Sequence, residues 1–429
     1  MNKKLPLISL FIMSIVSIFY WALKPKEKLY EAKWNAPDAT LAITINGEIS
    51  TTFPTTNMYT GTVECTSGTG KVEWKNSKWF LTTSGITKGN TKCNATFITR
   101  MPTLAEAILA NNVVRSPLTT PGAAVSTASE ALLASTPDDY GTSYYFRGAV
   151  TNNYVAFANK CWRIVRVGGD GSVKLILHND NTSKVPNPCN SANNNASAAF
   201  ARYSGTTYTS KFNEKYDDNA YVGFKYGTPG ASNYASTHAN TNKSTILTNL
   251  ETWYNNNLKT YESVIDNNVW CNDKTNVTNT AYNPFYWDRI KGLGYAKNET
   301  FYGATQRLVS TGGSAGGTGP ILKCNGELSK INSKVGLITA DELAFAGYAY
   351  DVKSTTYLQE NATGTSWWAL SPFDFSGSNA IVWFVFGSAD DFGWGSVNYA
   401  YGVRPAISLV SSTTISGGFG TSEDPYVIN

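Results

Sequence analysis

Apolar and polar positions alternate along the first part of the chain in the two-residue period of β-strands. Four segments combine this period with β-branched and aromatic residues: residues 41–45, 58–65, 71–81 and 91–98. Glycine-containing turns separate the segments, which is typical of a succession of short strands. We therefore predict a small, immunoglobulin-like β-sandwich over residues 40–99, acting as a spacer.

Helical patterns interrupted by prolines follow this region. Thr103 and Glu106 have the spacing of a capping box, which predicts a helix over residues 104–110. A helix-favouring composition resumes over residues 123–134. We interpret residues 100–139 as a jointed helical connector.

From residue 140 to the end of the chain, strand and helix patterns are mixed. Three segments alternate like strands: residues 154–157, 161–167 and 172–177. Ser244 or Thr245 can cap a helix with apolar residues at helical spacing, and a second capped helix is predicted after Thr339. Long stretches rich in Asn, Ser and Gly lie between these elements. We predict one large α+β domain with long loops over residues 140–429.

The N-terminus carries an apolar segment of membrane-spanning length. Residues 5–23 are uncharged and would reach roughly 28 Å as a helix, about the thickness of the bilayer core. A cleaved secretory signal peptide is the alternative, although the bulky Tyr20 fits a cleavage site poorly. We predict that residues 1–39 form a transmembrane helix and a stalk.

Six cysteines occur without any CxxC pair, so the spacing of a zinc site is absent. Fifteen pairings are possible, and the simplest one joins neighbours in sequence: Cys65 with Cys93, Cys161 with Cys189, and Cys271 with Cys324. Buried free thiols in a cytosolic protein are the alternative. Together with the apolar N-terminus, the cysteines favour disulfides, and hence a single-pass protein of the cell membrane with an extracellular C-terminal domain.

Composition weakens the case for nucleic-acid binding and for catalysis. Charged residues make up 15% of the chain, against ~25% in typical soluble proteins, and form no basic cluster. His178 and His238 are the only histidines, and we expect both at the surface. No strong catalytic motif is present. We therefore predict a protein that is not an enzyme and that needs no metal or other cofactor.

The most informative segment is an aromatic window over residues 371–401. Nine of its 31 residues are aromatic, and Asp, Asn, Ser and Gly are interleaved with them, as in antibody-type recognition surfaces. Packing into the core is the alternative, and we favour it for Trp367, Trp368, Val382 and Trp383. The adjacent Asp390 and Asp391 favour a surface position, because burial would strand two carboxylates.

Two motifs frame this window and carry a family resemblance. Trp-Trp-Ala-Leu-Ser-Pro at 367–372 and Gly-Val-Arg-Pro-Ala-Ile-Ser-Leu at 402–409 resemble C-type-lectin-fold domains related to formylglycine-generating enzyme. The chain is similar in particular to variable proteins diversified by retroelements in gut bacteria and their phages. The resemblance covers residues 140–429. The reactive cysteines of the enzymatic relatives and the calcium-binding Trp-Asn-Asp signature have no counterpart here.

This resemblance implies a C-type-lectin-like domain that displays changeable residues near its C-terminus. Fixed framework positions would be Trp367, Trp368, Pro372, Val382, Trp383, Gly402, Arg404 and Pro405. The predicted ligand-binding residues are Phe373, Asp374, Phe375, Ile381, Phe384, Phe386, Asp390, Phe392, Trp394, Ser396, Asn398, Tyr399 and Tyr401.

Taken together, these features predict a membrane-anchored extracellular binding protein of the adhesin or receptor type. Its partner would be a protein or glycan on another cell or on a phage. A phage tail receptor-binding protein of the same fold is one alternative, although a virion fibre has no use for an apolar anchor. An extracellular carbohydrate-active hydrolase that uses Asp390 and Asp391 is another.

Overall fold

The computed structural model describes residues 40–75, 78–87, 90–125, 130–285, 291–388 and 391–429. The chain divides into two compact units, the first ending at Met101 and the second beginning at Pro102. Strands outweigh helices, 36% against 14%, so the predicted α+β class is confirmed in a sheet-rich form.

The first unit consists of two small sheets around one core. Its strands are β1 Thr40–Ile45, β2 Glu48–Ser50, β3 Tyr59–Cys65, β4 Thr69–Lys75, β5 Lys78–Ser84 and β6 Lys92–Thr99. One sheet has the order β2–β1–β6–β3, and β4 pairs with β5 in the other. Ile43, Val72, Ala95 and Phe97 form the buried core. The single strand predicted over residues 71–81 is instead two antiparallel strands.

The second unit contains five short helices and eighteen strands among the described residues. The helices are α1 Leu104–Asn111, α2 Tyr234–His238, α3 Thr245–Asn257, α4 Gly303–Leu308 and α5 Ala340–Ala346. Single 3-10 turns occur at Ser191–Asn193, Asn219–Val222, Lys259–Tyr261 and Glu327–Ser329. The strands are β7 Leu132–Pro137, β8 Thr142–Arg147, β9 Tyr154–Phe157, β10 Lys160–Val167, β11 Val173–Asn179, β12 Thr209–Lys211, β13 Lys225–Tyr226, β14 Asn242–Lys243, β15 Asn268–Cys271, β16 Thr300–Phe301, β17 Lys330–Ser333, β18 Trp367–Phe375, β19 Ala380–Val385, β20 Phe392–Ser396, β21 Ala400–Gly402, β22 Ala406–Leu409, β23 Ile415–Gly417 and β24 Tyr426–Ile428.

Two sheets organise the second unit. The larger has the order β22–β11–β10–β9–β24–β23, with β8 also on β10 and β7 on β8. The smaller has the order β12–β21–β18–β19–β20, with β16 also on β18. Side chains from both sheets and from α1, α3 and α5 form one continuous hydrophobic core. The aromatic window therefore belongs to a single sheet.

Local sequence signals place the helix starts correctly. Thr103 and Thr339 each form a capping box with the glutamate three residues later, and Ser244 caps α3. A helix was also predicted from the composition of residues 123–134, and this prediction is wrong for the part of the segment that the structure describes. Leu132–Pro137 is strand β7, because pairing with β8 buries three consecutive apolar side chains at the start of the strand. Tertiary pairing here outweighs a weak helical preference.

The region predicted as a connector contributes to the core of the second unit. Leu104 and Ile108 on α1 are buried in the same cluster as the central strands. The unit boundary accordingly lies just before α1, after Met101, and residues 102–137 belong with the large domain.

All three predicted disulfides are present: Cys65–Cys93, Cys161–Cys189 and Cys271–Cys324. The first joins neighbouring strands of the first unit, β3 and β6. The other two tie long loops of the second unit to β10 and β15. The described residues contain no free cysteine.

The predicted membrane anchor, residues 5–23, lies outside the described residues. Within the described ranges, no helix has both the length and the apolar character required to cross a membrane.

Candidate ligand-binding surface

The aromatic window contains the second half of β18, all of β19 and β20, and the first two residues of β21. In β18 and β19 every residue is buried, because the core covers one face of these strands and aromatic side chains cover the other. The strand β20 lies at the end of the sheet and has one exposed position, Trp394, and one half-buried position, Ser396. The chain therefore changes from interior to surface within the window.

Six of the predicted ligand-binding residues are buried, none of them more than 7% exposed: Phe373, Asp374, Phe375, Ile381, Phe384 and Phe392. The centroid of the Trp383 ring lies 4.8 Å from that of Phe373 and 4.7 Å from that of Phe392. These rings pack side by side on one face of the sheet that β18, β19 and β20 form. A ligand can reach them only if the fold opens.

Six other predicted residues have surface that a ligand could contact. Trp394 is 36% exposed and Tyr399 is 53% exposed. The remaining four are half-buried: Phe386, Ser396, Asn398 and Tyr401. Asp390 lies outside the described residues. All six come from β20 and its two flanking loops, together with the start of β21. We call these six residues the outward surface.

On one side of β20, the rings form a continuous row. The Phe384 ring centroid lies 4.4 Å from that of Phe386 and 4.6 Å from that of Tyr401. Tyr401 in turn lies 6.0 Å from Tyr399, centroid to centroid. The row runs from the buried Phe384 to the exposed Tyr399, so the core supports the outward rings directly.

Two glycines in β20 make room for this row. A β-carbon placed on Gly393 would lie 2.9 Å from the Phe386 ring, and one on Gly395 would lie 3.1 Å from the Phe384 ring. Both distances are shorter than ordinary van der Waals contact. The glycines therefore let the rings lie against the backbone of β20.

On the other side of β20, Trp394 covers a second group of rings. Its indole Nε1 donates a hydrogen bond of 3.2 Å to the hydroxyl oxygen of Tyr350. The Trp394 ring also lies 5.7 Å from the Phe373 ring, between centroids. Burial raises the pKa of Tyr350, so its hydroxyl stays neutral at physiological pH. Trp394 is thus both exposed and held in a fixed orientation.

The framework around the window is held by buried polar groups. The Arg404 guanidinium donates from Nε to the Leu177 carbonyl at 2.9 Å and from Nη1 to the carbonyl of Leu358. It also lies 4.9 Å from the centre of the Trp367 ring. Burial lowers the pKa of Arg404 to about 10, which leaves it charged at neutral pH. Arg404 thereby ties a loop carbonyl to the sheet, which is a structural role.

Both histidines are buried, which corrects the prediction that they lie at the surface. Burial, assisted by the charge of Lys274, lowers the pKa of His238 to about 3. Burial also lowers the pKa of His178 far below its usual value, and Arg163 and Arg404 add to this effect. Their neighbours come from distant parts of the chain, so no local pattern marks either histidine as interior.

Two cavities lie elsewhere in the second unit, and their polar walls are already engaged in the fold. One, of about 40 Å³, is lined by ion-paired groups such as Lys174 and Glu342, whose Nζ and Oε1 atoms are 2.6 Å apart. The other, of about 250 Å³, is lined largely by asparagines. The amides of Asn179 and Asn181 in its wall bond to backbone carbonyls. Neither cavity includes the outward surface.

The outward surface offers rings, hydroxyls and amides, which is the chemistry of recognition. Over the described ranges, no cluster of three or more His, Cys, Asp or Glu side chains could hold a metal ion. No family model, curated protein or solved structure matches this chain. The residues and geometry of the outward surface are therefore the basis for assigning a function.

Proposed function

We propose that this chain is a membrane-anchored extracellular binding protein of the adhesin or receptor type. Its second unit would be a C-type-lectin-like scaffold that presents the outward surface to a protein or glycan of another cell or phage. The observation that carries the proposal is the exposure of Trp394 and Tyr399 beside buried rings. Trp394 packs on Phe373, and Tyr399 ends the row that begins at Phe384. Tyr and Trp are enriched at interfaces, because one end of each ring is apolar and the other is polar.

The rigidity of the support strengthens the proposal. Tyr401 packs 4.7 Å from the buried Trp368 ring, and the Trp368 indole donates to the Ser210 carbonyl at 2.8 Å. Rings held in this way lose little conformational freedom when a ligand binds, which lowers the entropic cost of association.

The disulfides support the extracellular location. All described cysteines are paired, and structural disulfides persist mainly in oxidising compartments. An apolar segment at residues 5–23 would then tether the protein to the membrane.

We further propose that the outward surface is diversified, whereas the buried framework is constant. Substitution at Tyr399 would alter the surface at little cost in stability, since this residue is 53% exposed. Substitution of Trp368 or Trp383 would leave a large cavity. Comparison of the gene with a neighbouring template repeat should show adenine-directed changes at the outward codons and none at the framework codons.

A binding screen tests the proposed function. The full chain would be applied to arrays of glycans and of cell-surface proteins, beside a variant in which Phe386, Trp394 and Tyr399 are all replaced by Ala. We expect at least a tenfold loss of binding, because truncating central aromatic anchors typically costs about 2 kcal/mol or more.

The matched control replaces three exposed rings outside the window. Tyr140, Tyr261 and Phe419 are 57%, 39% and 67% exposed, and their replacement by Ala should leave binding intact. Circular dichroism would confirm that both triple variants fold. Equal binding by the window variant and the wild type would refute the proposal.

A further inference from the structure

The end strand of the smaller sheet, β20, has an incompletely paired outer edge. On its inner side, the Phe386 amide donates to the Asp391 carbonyl at 3.0 Å, and the Val397 amide donates to the Ala380 carbonyl at 3.1 Å. In an antiparallel pair, hydrogen-bonded positions alternate with positions that face away from the partner strand. The backbone groups of Phe392, Trp394 and Ser396 therefore face away from β19.

Part of this outer edge is covered. The Asp351 amide donates to the Phe392 carbonyl at 3.2 Å, and Tyr350 forms a parallel bridge with Phe392. The Ser396 carbonyl accepts from the Tyr399 amide at 3.0 Å. Three groups remain: the N–H and C=O of Trp394 and the N–H of Ser396. Across the part of the chain that the structure describes, these three have no hydrogen-bond partner.

The open groups lie beside the most exposed ring of β20. Trp394 provides an unpaired backbone N–H and an unpaired backbone C=O. The residue is 36% exposed, and its side chain is held by the hydrogen bond to Tyr350. A strand edge of this kind is a template for another strand, because its outward donors and acceptors recur at every second residue, twice the strand rise of about 3.4 Å per residue. A peptide backbone matches that spacing, and neighbouring side-chain sites then select the sequence.

We infer that the outward surface binds an extended polypeptide segment by strand addition to the outer edge of β20. The ligand backbone pairs with Trp394 and with the amide of Ser396, and a ligand side chain packs on the Trp394 ring. This inference rests on the proposed function and names the class of its partner, a protein segment in extended conformation.

Proline substitution isolates the backbone contribution. Proline removes an amide N–H and is tolerated on an edge strand where that N–H faces outward. Trp394 and Ser396 both follow glycines, which accommodate the restriction that proline places on the preceding residue. Each proline variant is therefore compared with an alanine variant at the same position. Within each pair, Trp394→Pro with Trp394→Ala and Ser396→Pro with Ser396→Ala, the chief difference is the loss of one backbone N–H donor. Thermal unfolding should confirm that each pair has similar stability.

The probe is a phage-displayed library of random linear peptides about twelve residues long, panned against the full chain in detergent micelles. Enriched peptides would be synthesised and titrated by fluorescence anisotropy. We expect each proline variant to bind ~3- to 10-fold more weakly than its alanine counterpart, the worth of one backbone hydrogen bond. We also expect methylation of successive peptide amides to weaken binding at every second position, because alternate amides face the edge.

Three results would overturn the inference: no peptide enriched above the Trp394→Pro background, equal affinities within both Pro/Ala pairs, or a methylation scan without a two-residue period. These results leave the proposed function separately measurable. If array binding depends on Phe386, Trp394 and Tyr399 but each proline variant binds as well as its alanine counterpart, the ring surface binds a ligand and strand addition is wrong.

Discussion

Arg404 lies fully buried in the second unit without an ion-pair partner among the described residues. Its bonds to the carbonyls of Leu177 and Leu358 satisfy two backbone acceptors that would otherwise be buried and unpaired. The family resemblance places Arg404 among the fixed framework positions. The identities of the two carbonyls could not be predicted, because they lie 227 and 46 residues away along the chain.

Replacing Arg404 by Met should destabilise the second unit by about 2–4 kcal/mol, since two buried carbonyls lose their donors. Urea unfolding followed by tryptophan fluorescence would measure the change. Arg115 is exposed, so Arg115→Met is the matched control and should stay within about 0.5 kcal/mol of the wild type. A similar effect of both substitutions would contradict the structural role of Arg404.

The buried histidines make stability depend on pH. In the unfolded chain His238 takes up a proton near its ordinary pKa of 6.5, whereas in the fold its pKa is about 3. The unfolded state therefore binds more protons below pH 6.5, and the free energy of unfolding falls as the pH is lowered. His178, whose pKa is also lowered by burial, acts in the same direction.

Between pH 6.5 and 5, His238 should remove up to about 2 kcal/mol of stability, at about 1.4 kcal/mol per pH unit. Denaturant titrations at the two pH values would measure this loss. His238→Gln, which does not titrate, should show a correspondingly smaller loss over the same interval. A variant with the same pH dependence as the wild type would show that His238 is not the group responsible.

The strands and helix starts were largely predictable from local patterns. Which side chains of the aromatic window are buried and which are exposed was not. Predicted segments coincide closely with β9, β10 and β11, and three capping residues lie where the sequence places them. The continuous apolar run of β19 is typical of a strand covered on both faces, but it does not identify the covering rings, because they come from other strands. Only the edge position of β20 separates exposed rings from buried ones.

Gly393 is the residue in β20 on which this arrangement depends most directly. Gly393→Ala should cost about 1–3 kcal/mol, because the new methyl group would lie 2.9 Å from the Phe386 ring and displace it. Thermal unfolding would measure the cost, and array binding should fall with it. At Gly417 in β23 an added methyl group would have nothing within 4 Å, so Gly417→Ala should be neutral or slightly stabilising. Equal stability of the two variants would contradict the close fit of Phe386.

At the scale of the whole molecule, the disulfides are distributed between two units that have separate cores. Sequential pairing of the cysteines was predictable because each pair closes a moderate loop. The extent of the second unit was harder to predict, since α1 and β7 join its core from a region whose composition resembles a linker. Long-range packing, which no local window contains, sets that boundary.

Replacing Cys271 and Cys324 by Ala should lower the free energy of unfolding of the second unit by up to about 4 kcal/mol, since their bond spans 53 residues. Calorimetry of the oxidised chain would measure this change. The matched variant, in which Cys65 and Cys93 are replaced by Ala, alters a bond of the first unit only and should leave the transition of the second unit in place. If either variant lost the unfolding transitions of both units, the conclusion that the two units have separate cores would be contradicted.

The six side chains of the outward surface fall within residues 386–401, a stretch bordered on both sides by interior positions. A single short synthetic oligonucleotide spans the corresponding codons. Under the proposed binding function, one cassette exchange would retarget the molecule while the rest of the gene is left untouched, and the domain would be a practical starting point for engineered binders.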